Sequence, residues 1–151
     1  MGKLFLFLIL NFSALGIGAW LMGEGPASVW YNGLQKAPWT PPGWVFGAAW
    51  TLIMISFSFY MTIAHNASSQ TKVLLLLFAI QWILNVIWNP VFFNFHSVNM
   101  GLVIIVLLTL LVAYIMWINF ASLKFASLLI APYLLWLLIA TSLNAYVCLK
   151  N

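Results

Sequence analysis

Five long apolar stretches, almost without charged side chains, constrain the fold of this chain more than any other feature. A helix needs roughly 20 apolar residues to cross the hydrocarbon core of a bilayer, and each stretch is about that long. Five basic residues and one acidic residue make up 4% of the 151 residues, whereas soluble domains carry roughly 25% charged residues. The sequence therefore predicts an all-α integral membrane protein, folded as a single bundle of five transmembrane helices.

Polar and proline-containing breaks divide the chain into the predicted helices. One domain is predicted over 1–151, with a longer loop over 23–43. The five predicted helices span about 4–22, 44–64, 72–93, 100–120 and 125–149. The basic start at Lys3 is also compatible with a cleaved signal peptide, but the apolar stretch is long for one and no clean cleavage site follows. A retained first helix is therefore favoured.

Local signals refine the predicted helix ends. Thr40 is predicted as the N-cap of the second helix, since its hydroxyl can accept from a backbone N–H of the first turn. Pro41 is predicted as the first residue of that helix, where its missing N–H costs nothing. Pro90 is predicted to kink or stop the third helix near its end. Pro132 falls in the first third of the predicted fifth helix.

Several classes of function are disfavoured by what the sequence lacks. No Asp or Glu lies inside a predicted span, so a proton-coupled transporter or a carboxylate-gated channel lacks its usual working group. No spacing typical of metal ligands occurs, and the scattered lysines form no basic patch for nucleic acid. His65 and His96 fall in turns at opposite ends of the predicted bundle, where solvated histidines are commoner than axial haem ligands.

Polar and aromatic side chains recur on one face of several predicted helices. Polar side chains within a span turn towards the bundle interior, because they are costly to leave unpaired in hydrocarbon. The face comprises Gln81, Asn85, Trp88 and Phe92 on the third helix, Tyr133, Trp136, Ala140 and Asn144 on the fifth, Phe46, Trp50, Met54 and Phe57 on the second, and, less clearly, Thr109 and Trp117 on the fourth. Two interpretations remain open: a pocket for a flat hydrophobic ligand, or a packed core whose amides bond neighbouring helices.

Two further segments also allow two interpretations each. The aromatic loop over 23–43, which ends in WTPPG, places tryptophans where membrane interfaces favour them, and it could also roof a cavity. The C-terminal run LNAYVCLK places Leu143, Tyr146 and Lys150 in the pattern proposed for cholesterol binding. Ordinary interface anchors satisfy that pattern equally well.

Three blocks of sequence resemble one known family. They are WYNGLQKAPWTPPGWVFGAAW from Trp30 to Trp50, NVIWNPVFF from Asn85 to Phe93, and PYLLW from Pro132, followed by ATSLN from Ala140. Together they are similar to the tryptophan-rich sensory protein / translocator protein family (the TspO type, including the peripheral benzodiazepine receptor), over nearly the whole chain. The resemblance implies a five-helix membrane bundle, commonly a homodimer, in a bacterial membrane or the mitochondrial outer membrane. It also implies that the first loop caps a pocket.

The resemblance further implies a class of ligand. Members bind porphyrins such as protoporphyrin IX and haem, sterols and benzodiazepine-type drugs, and none of these is attached covalently. The positions that match the family's pocket are Tyr31, Trp39, Trp50, Asn85, Trp88, Trp136 and Ala140. Trp50 and Trp136 match the pair implicated in light-dependent porphyrin breakdown. A receptor or sensor of porphyrins is favoured, and a light-dependent porphyrin-degrading enzyme and a transporter of porphyrins or sterols remain as alternatives.

Overall fold

The computed structural model describes residues 2–151, most of which are helical. In chain order the α-helices are α1 (Gly2–Leu21), α2 (Val29–Gly33), α3 (Gly43–Ala67), α4 (Thr71–Phe93), α5 (Val98–Leu123) and α6 (Ala131–Lys150). Short 3-10 helices occupy Gly25–Ala27 and Lys124–Leu129, and no β-strand occurs within residues 2–151. All the α-helices except α2 are long and apolar enough to cross a membrane, so the predicted five-helix membrane bundle is confirmed.

The outer surface of the bundle has the character expected of a surface that faces lipid. Large apolar side chains are exposed along the middle of the helices, among them Ile83 on α4 and Leu110 on α5. A water-soluble protein rarely exposes contiguous apolar surface of this extent, whereas lipid tails solvate it well. The chain is therefore a multi-pass integral membrane protein.

The start of α3 differs from the prediction. The helix begins at Gly43, with Pro42 as its N-cap, and no side chain caps it. The prediction of Thr40 as N-cap and Pro41 as first helical residue was wrong, because the Thr40 hydroxyl donates backwards to the Ala37 carbonyl at 2.7 Å. Pro41 and Pro42 disfavour helical geometry in the residue before each of them, namely Thr40 and Pro41. Pro42 itself is extended, with a ψ of 148°.

The start of the last spanning helix also differs from the prediction. Lys124–Leu129 forms a 3-10 helix, and α6 begins only at Ala131, which places Pro132 in its first turn. The prediction of a helix from residue 125 was wrong for this segment. A proline inside an α-helix would crowd the preceding turn and remove a hydrogen bond, whereas in the first turn it does neither. The predicted end of the third helix near Pro90 is confirmed, since α4 ends at Phe93.

Two other helices are longer than predicted. α3 continues through His65 to Ala67, which was predicted as a polar turn, and α5 continues to Leu123. The extra turn of α3 has a partner, because the Lys3 ammonium lies 2.8 Å from the Asn66 side-chain oxygen and 3.1 Å from His65 Nδ1. These contacts place the start of α1 beside the end of α3.

Polar contacts and aromatic rings hold the bundle together at mid-depth. α1 packs against α3 and α4, α5 packs against α4 and α6, and α6 closes the bundle against α3. The buried Asn11 amide on α1 donates to the Ser58 hydroxyl on α3 at 2.8 Å. The Trp82 indole on α4 donates to the Leu10 carbonyl on α1 at 2.7 Å. Such bonds between membrane helices each contribute about 0.6 kcal/mol, so they fix register more than they set overall stability.

Candidate ligand-binding site

Tyr133 on α6 is the centre of a buried polar and aromatic cluster between three helices. Its hydroxyl oxygen accepts from the Gln81 amide at 2.7 Å and from the Asn85 amide at 3.1 Å, both on α4. Its ring packs edge-on against Trp50 and Phe57 of α3, with centroid distances of 5.9 and 5.2 Å. One phenol therefore joins α3, α4 and α6 at the depth where the sequence predicted a site.

Trp136 lies one turn along α6 from Tyr133. Its side chain is 7% exposed, and Phe46 of α3 packs edge-on against it at 5.2 Å. Trp50 and Ala140 are half-buried and pack against the same apolar core. The two tryptophans that the sequence singled out thus face the interior from adjacent helices, and neither points into lipid.

A second set of contacts extends the cluster towards the loop end of the bundle. The Trp88 indole donates to the Asn144 side-chain oxygen at 3.2 Å, and the Asn144 amide donates to the Val98 carbonyl at 3.1 Å. Phe92 stacks on Trp88 at 5.0 Å. Buried Gly101 lies against both Phe92 and Asn144, so that a Cβ there would come within 3.2 Å of each. Asn144 therefore links α4, α5 and α6 through one side chain.

The loop over 23–43 covers this end of the bundle. Trp39, half of whose surface is exposed, donates from its indole to the Ser142 hydroxyl at 3.2 Å and packs edge-on against Tyr146 at 5.4 Å. Tyr31 on α2 packs against Phe92 and Phe93. Burial raises the pKa of the Tyr31 hydroxyl, which therefore stays protonated and able to donate. The loop is thus anchored by its aromatic side chains.

Two cavities lie under and beside the loop, at the same end of the bundle. One of about 490 Å³ is lined by Trp30, Leu34, His96, Asn99, Cys148 and Asn151, among others. The other, of about 410 Å³, lies beside Met22, Glu24 and Phe93 and shares Trp30 and His96 with the first. Neither is lined by the deeper tryptophans Trp50 and Trp136. Those indoles instead contact neighbouring rings directly, so a planar ligand could enter between them only by separating these contacts.

Thr109 and Trp117, the two less clear candidates on α5, face in different directions. Thr109 is buried, and its hydroxyl lies 3.2 Å from that of Thr141 on α6. Trp117 is 79% exposed and faces outward, so its prediction as a lining residue was wrong. The prediction rested on Thr109 and Trp117 alone, and two residues are too few to define the inward face of a helix.

The residues of the sterol pattern lie on the outer part of α6. Leu143 and Tyr146 are half-buried and Lys150 is exposed. The Lys150 ammonium lies 6.0 Å from the centre of the Tyr146 ring. This arrangement is the one expected of an interface anchor. It neither supports nor contradicts sterol binding.

Sequence reasoning missed several features of the site. It placed Gln81, Asn85 and Tyr133 on inward faces, but not the hydrogen bonds that make Tyr133 their shared acceptor. It did not single out Gly101, whose lack of a side chain admits Asn144 and Phe92. It also missed the stack of His96 on Trp30 at 4.2 Å, since His96 has a positive φ of 51° that no local pattern signals.

No cluster of three or more metal-binding side chains occurs within residues 2–151. His65 lies beside Lys3 at the end away from the loop, and His96 stacks on Trp30 at the loop end. Neither histidine reaches the Tyr133 cluster. The cluster therefore offers stacking surfaces and amides, and it offers no imidazole for an axial bond to iron.

The fold and the cluster together define a class: a five-span membrane protein with an aromatic interhelical site under a loop. Comparison with known proteins gives the particular family. The profile of the TspO/MBR family matches residues 7–149, and the chain belongs to this family.

Relatives from distant organisms share the similarity. The tryptophan-rich sensory protein of Cereibacter sphaeroides is 37% identical over 76% of this chain and 72% of its own length. The tryptophan-rich protein TspO of Chlorobaculum tepidum is 36% identical over 87% of this chain and 85% of its own. The translocator protein of Homo sapiens is 33% identical over 85% and 78%, respectively. The predicted family is thereby confirmed.

Proposed function

We propose that this protein is a membrane receptor or sensor for porphyrins, with protoporphyrin IX as the preferred ligand. The observation that carries the proposal is that Trp50, Trp88 and Trp136, from three helices, belong to or pack against one interhelical core, with Trp50 edge-on to the buried Tyr133. Indole faces stack well on an extended planar ring system, and a few amides beside them fix its orientation. The names of two bacterial relatives, both tryptophan-rich and one called a sensory protein, agree with this function.

The residues present fit a metal-free porphyrin better than they fit haem. The Gln81 side-chain oxygen is buried without a partner among the described residues, so the site has one acceptor for a polar hydrogen of a ligand and no histidine for iron. Haem would have no axial ligand from His65 or His96 in this site, because each lies at an end of the bundle. Insertion has a cost, since the edge-on contacts of Trp50 and Trp136 must open, and stacking on the ligand offsets it.

Titration of the purified protein with protoporphyrin IX tests the proposal. Saturable quenching of tryptophan fluorescence is expected, and Trp136→Phe should weaken the affinity about tenfold, the upper end of the range for one lost aromatic contact. Trp117→Phe is the matched control, because that indole faces outward and should leave the affinity unchanged. Quenching that does not saturate, or equal affinities for all three proteins, would contradict the proposal.

Light-dependent degradation of the bound porphyrin is the second candidate. The contact of Trp50 with Tyr133 favours it, since two oxidisable rings lie side by side where an excited porphyrin would generate reactive oxygen. The chemistry would come from the ligand and molecular oxygen, and the protein would supply orientation and oxidisable side chains. Loss of the porphyrin Soret band in light should then slow in Trp50→Phe and Trp136→Phe. Bleaching at the wild-type rate in both variants would exclude this candidate.

Ligands other than porphyrins, including sterols and benzodiazepine-type drugs, rest on family membership alone. A role in transport also rests on family membership alone, and the human relative is named translocator protein. Competition with bound protoporphyrin IX would show whether a sterol or a drug of this type occupies the same site. If a sterol or drug at saturating concentration does not displace protoporphyrin IX, it binds at another site or does not bind this protein.

A further inference from the structure

The lysines are divided between the two ends of the bundle. Lys3, Lys72 and Lys124 lie at the end where α3 and α5 terminate, whereas Lys36 and Lys150 lie at the loop end. Glu24 is the only acidic side chain in the sequence. Any ligand with carboxylates must therefore direct them to one of these ends, because the spans between contain no cation.

Lys36 is held in place more firmly than an ordinary surface lysine. Its ammonium lies 4.7 Å from the centre of the Tyr31 ring, and its side chain is half-buried. The residue before it is fixed on both backbone groups: the Gln35 N–H donates to the Asn151 side-chain oxygen at 2.8 Å, and the Asn151 amide donates to the Gln35 carbonyl at 3.3 Å. The residue after it, Ala37, is buried.

A continuous line of rings joins Lys36 to the ligand site. Tyr31 contacts Phe92 and Phe93, and both of these contact Trp88. The Tyr31 hydroxyl can donate a hydrogen bond, and the 490 Å³ cavity beside Leu34 and Asn151 leaves room for polar groups at this end. A cation and a phenol thus lie above the aromatic cluster.

We propose that Lys36, with Tyr31, binds the carboxylate edge of the ligand. This inference rests on the proposed function. The ligand class is then a planar hydrophobic molecule with its acidic groups on one edge, oriented with that edge towards the loop and its apolar edge towards Tyr133. An ammonium that already lies over an aromatic ring loses less conformational freedom on meeting a carboxylate, and charge-assisted bonds are the stronger hydrogen bonds.

The opposite end of the bundle offers a poorer anion site. The Lys3 ammonium is already engaged with the Asn66 oxygen and His65 Nδ1. Lys72 and Lys124 are exposed, and Lys124 lies in the 3-10 segment outside the interhelical cluster. Lipid phosphate is the rival source of anionic charge for Lys36, and a comparison of charged and uncharged ligands separates it from a ligand carboxylate.

The test compares protoporphyrin IX with its uncharged dimethyl ester in an uncharged detergent. Lys36→Gln should weaken binding of the diacid about tenfold to a hundredfold, the range for one charge-assisted bond, and leave binding of the ester unchanged. Lys36→Arg should retain most of the affinity for the diacid. Lys72→Gln, at the other end, is the control that should change neither ligand.

The outcomes distinguish this inference from the proposed function. Equal loss for diacid and ester in Lys36→Gln would assign the lysine a structural role in the loop and overturn the inference. An unchanged diacid affinity would leave Lys36 as a partner for lipid phosphate only, and it would also overturn the inference. Failure of both ligands to saturate the wild-type protein would refute the porphyrin site itself.

Discussion

Replacing Trp136 by alanine is expected to cause a large loss of stability. The side chain is 7% exposed and packs against Phe46, so its removal leaves a cavity between α3 and α6. Truncation of a buried tryptophan costs about 3–5 kcal/mol, because the surrounding side chains relax only partly. In a bilayer this loss is mainly one of van der Waals packing, since lipid is as apolar as the core.

Unfolding in mixed micelles with increasing denaturing detergent measures this loss. Trp117→Ala is the matched control: it removes the same side chain from α5, but this one is 79% exposed and should cost less than about 1 kcal/mol. Porphyrin binding by Trp136→Ala, measured where the variant is still folded, should be lost. Equal stability of the two variants would contradict a packed role for Trp136.

Tyr133→Phe is the second prediction with a large effect. The substitution keeps the ring and removes the hydroxyl oxygen that accepts from the Gln81 and Asn85 amides. Two buried donors then lose their shared partner. Since each unsatisfied buried group costs about 1–3 kcal/mol, a loss of about 2–6 kcal/mol is expected for the two. The change in free energy of unfolding is again the measurement.

Tyr60→Phe is the control for this substitution. The Tyr60 hydroxyl donates to the Ile115 carbonyl at 3.0 Å, and the Asn119 amide donates to that carbonyl as well. Removing the Tyr60 hydroxyl therefore leaves no atom without a partner, and a loss of about 0.6 kcal/mol is expected, typical of one bond between membrane helices. If the two variants lose the same stability, Tyr133 is not a shared acceptor.

The architecture of this protein could be predicted from sequence because one simple requirement governs it. The hydrocarbon core requires long uncharged helices, and the near absence of charge leaves few alternatives. The inward faces followed from the same reasoning, since Gln81, Asn85 and Asn144 recur at helical spacing and must avoid lipid. The length of the apolar stretches, their lack of charge and the helical spacing of polar residues can all be read directly from the sequence.

Helix starts near prolines could not be predicted reliably, because they depend on competing local bonds. Thr40 has the hydroxyl of a good N-cap, yet it bonds to Ala37 within the loop. The segment before Pro132 is as apolar as a spanning helix, and nothing in its composition separates a 3-10 from an α conformation. In both places the energies that decide are comparable to one hydrogen bond.

The side-chain contacts within the site also could not be predicted from the sequence. Periodicity places Tyr133 and Gln81 on inward faces, but the relative depth of two helices decides whether their side chains meet. The loop is a further example, since Asn151 and Gln35 are 116 positions apart and only the closed bundle brings them together. Contacts of this kind depend on helix register, which no local pattern fixes.

Indole resonances give the most direct measurement of the central claim, that three converging tryptophans form a porphyrin site. Protoporphyrin IX is titrated into protein whose indole nitrogens carry ¹⁵N, with each signal assigned by single substitution. The ring current of the macrocycle should shift the signals of Trp50, Trp88 and Trp136 strongly, because these side chains surround the proposed site. The exposed Trp20, Trp44 and Trp117 should keep their positions. Shifts confined to the exposed indoles, with the signals of Trp50, Trp88 and Trp136 unchanged, would contradict this claim.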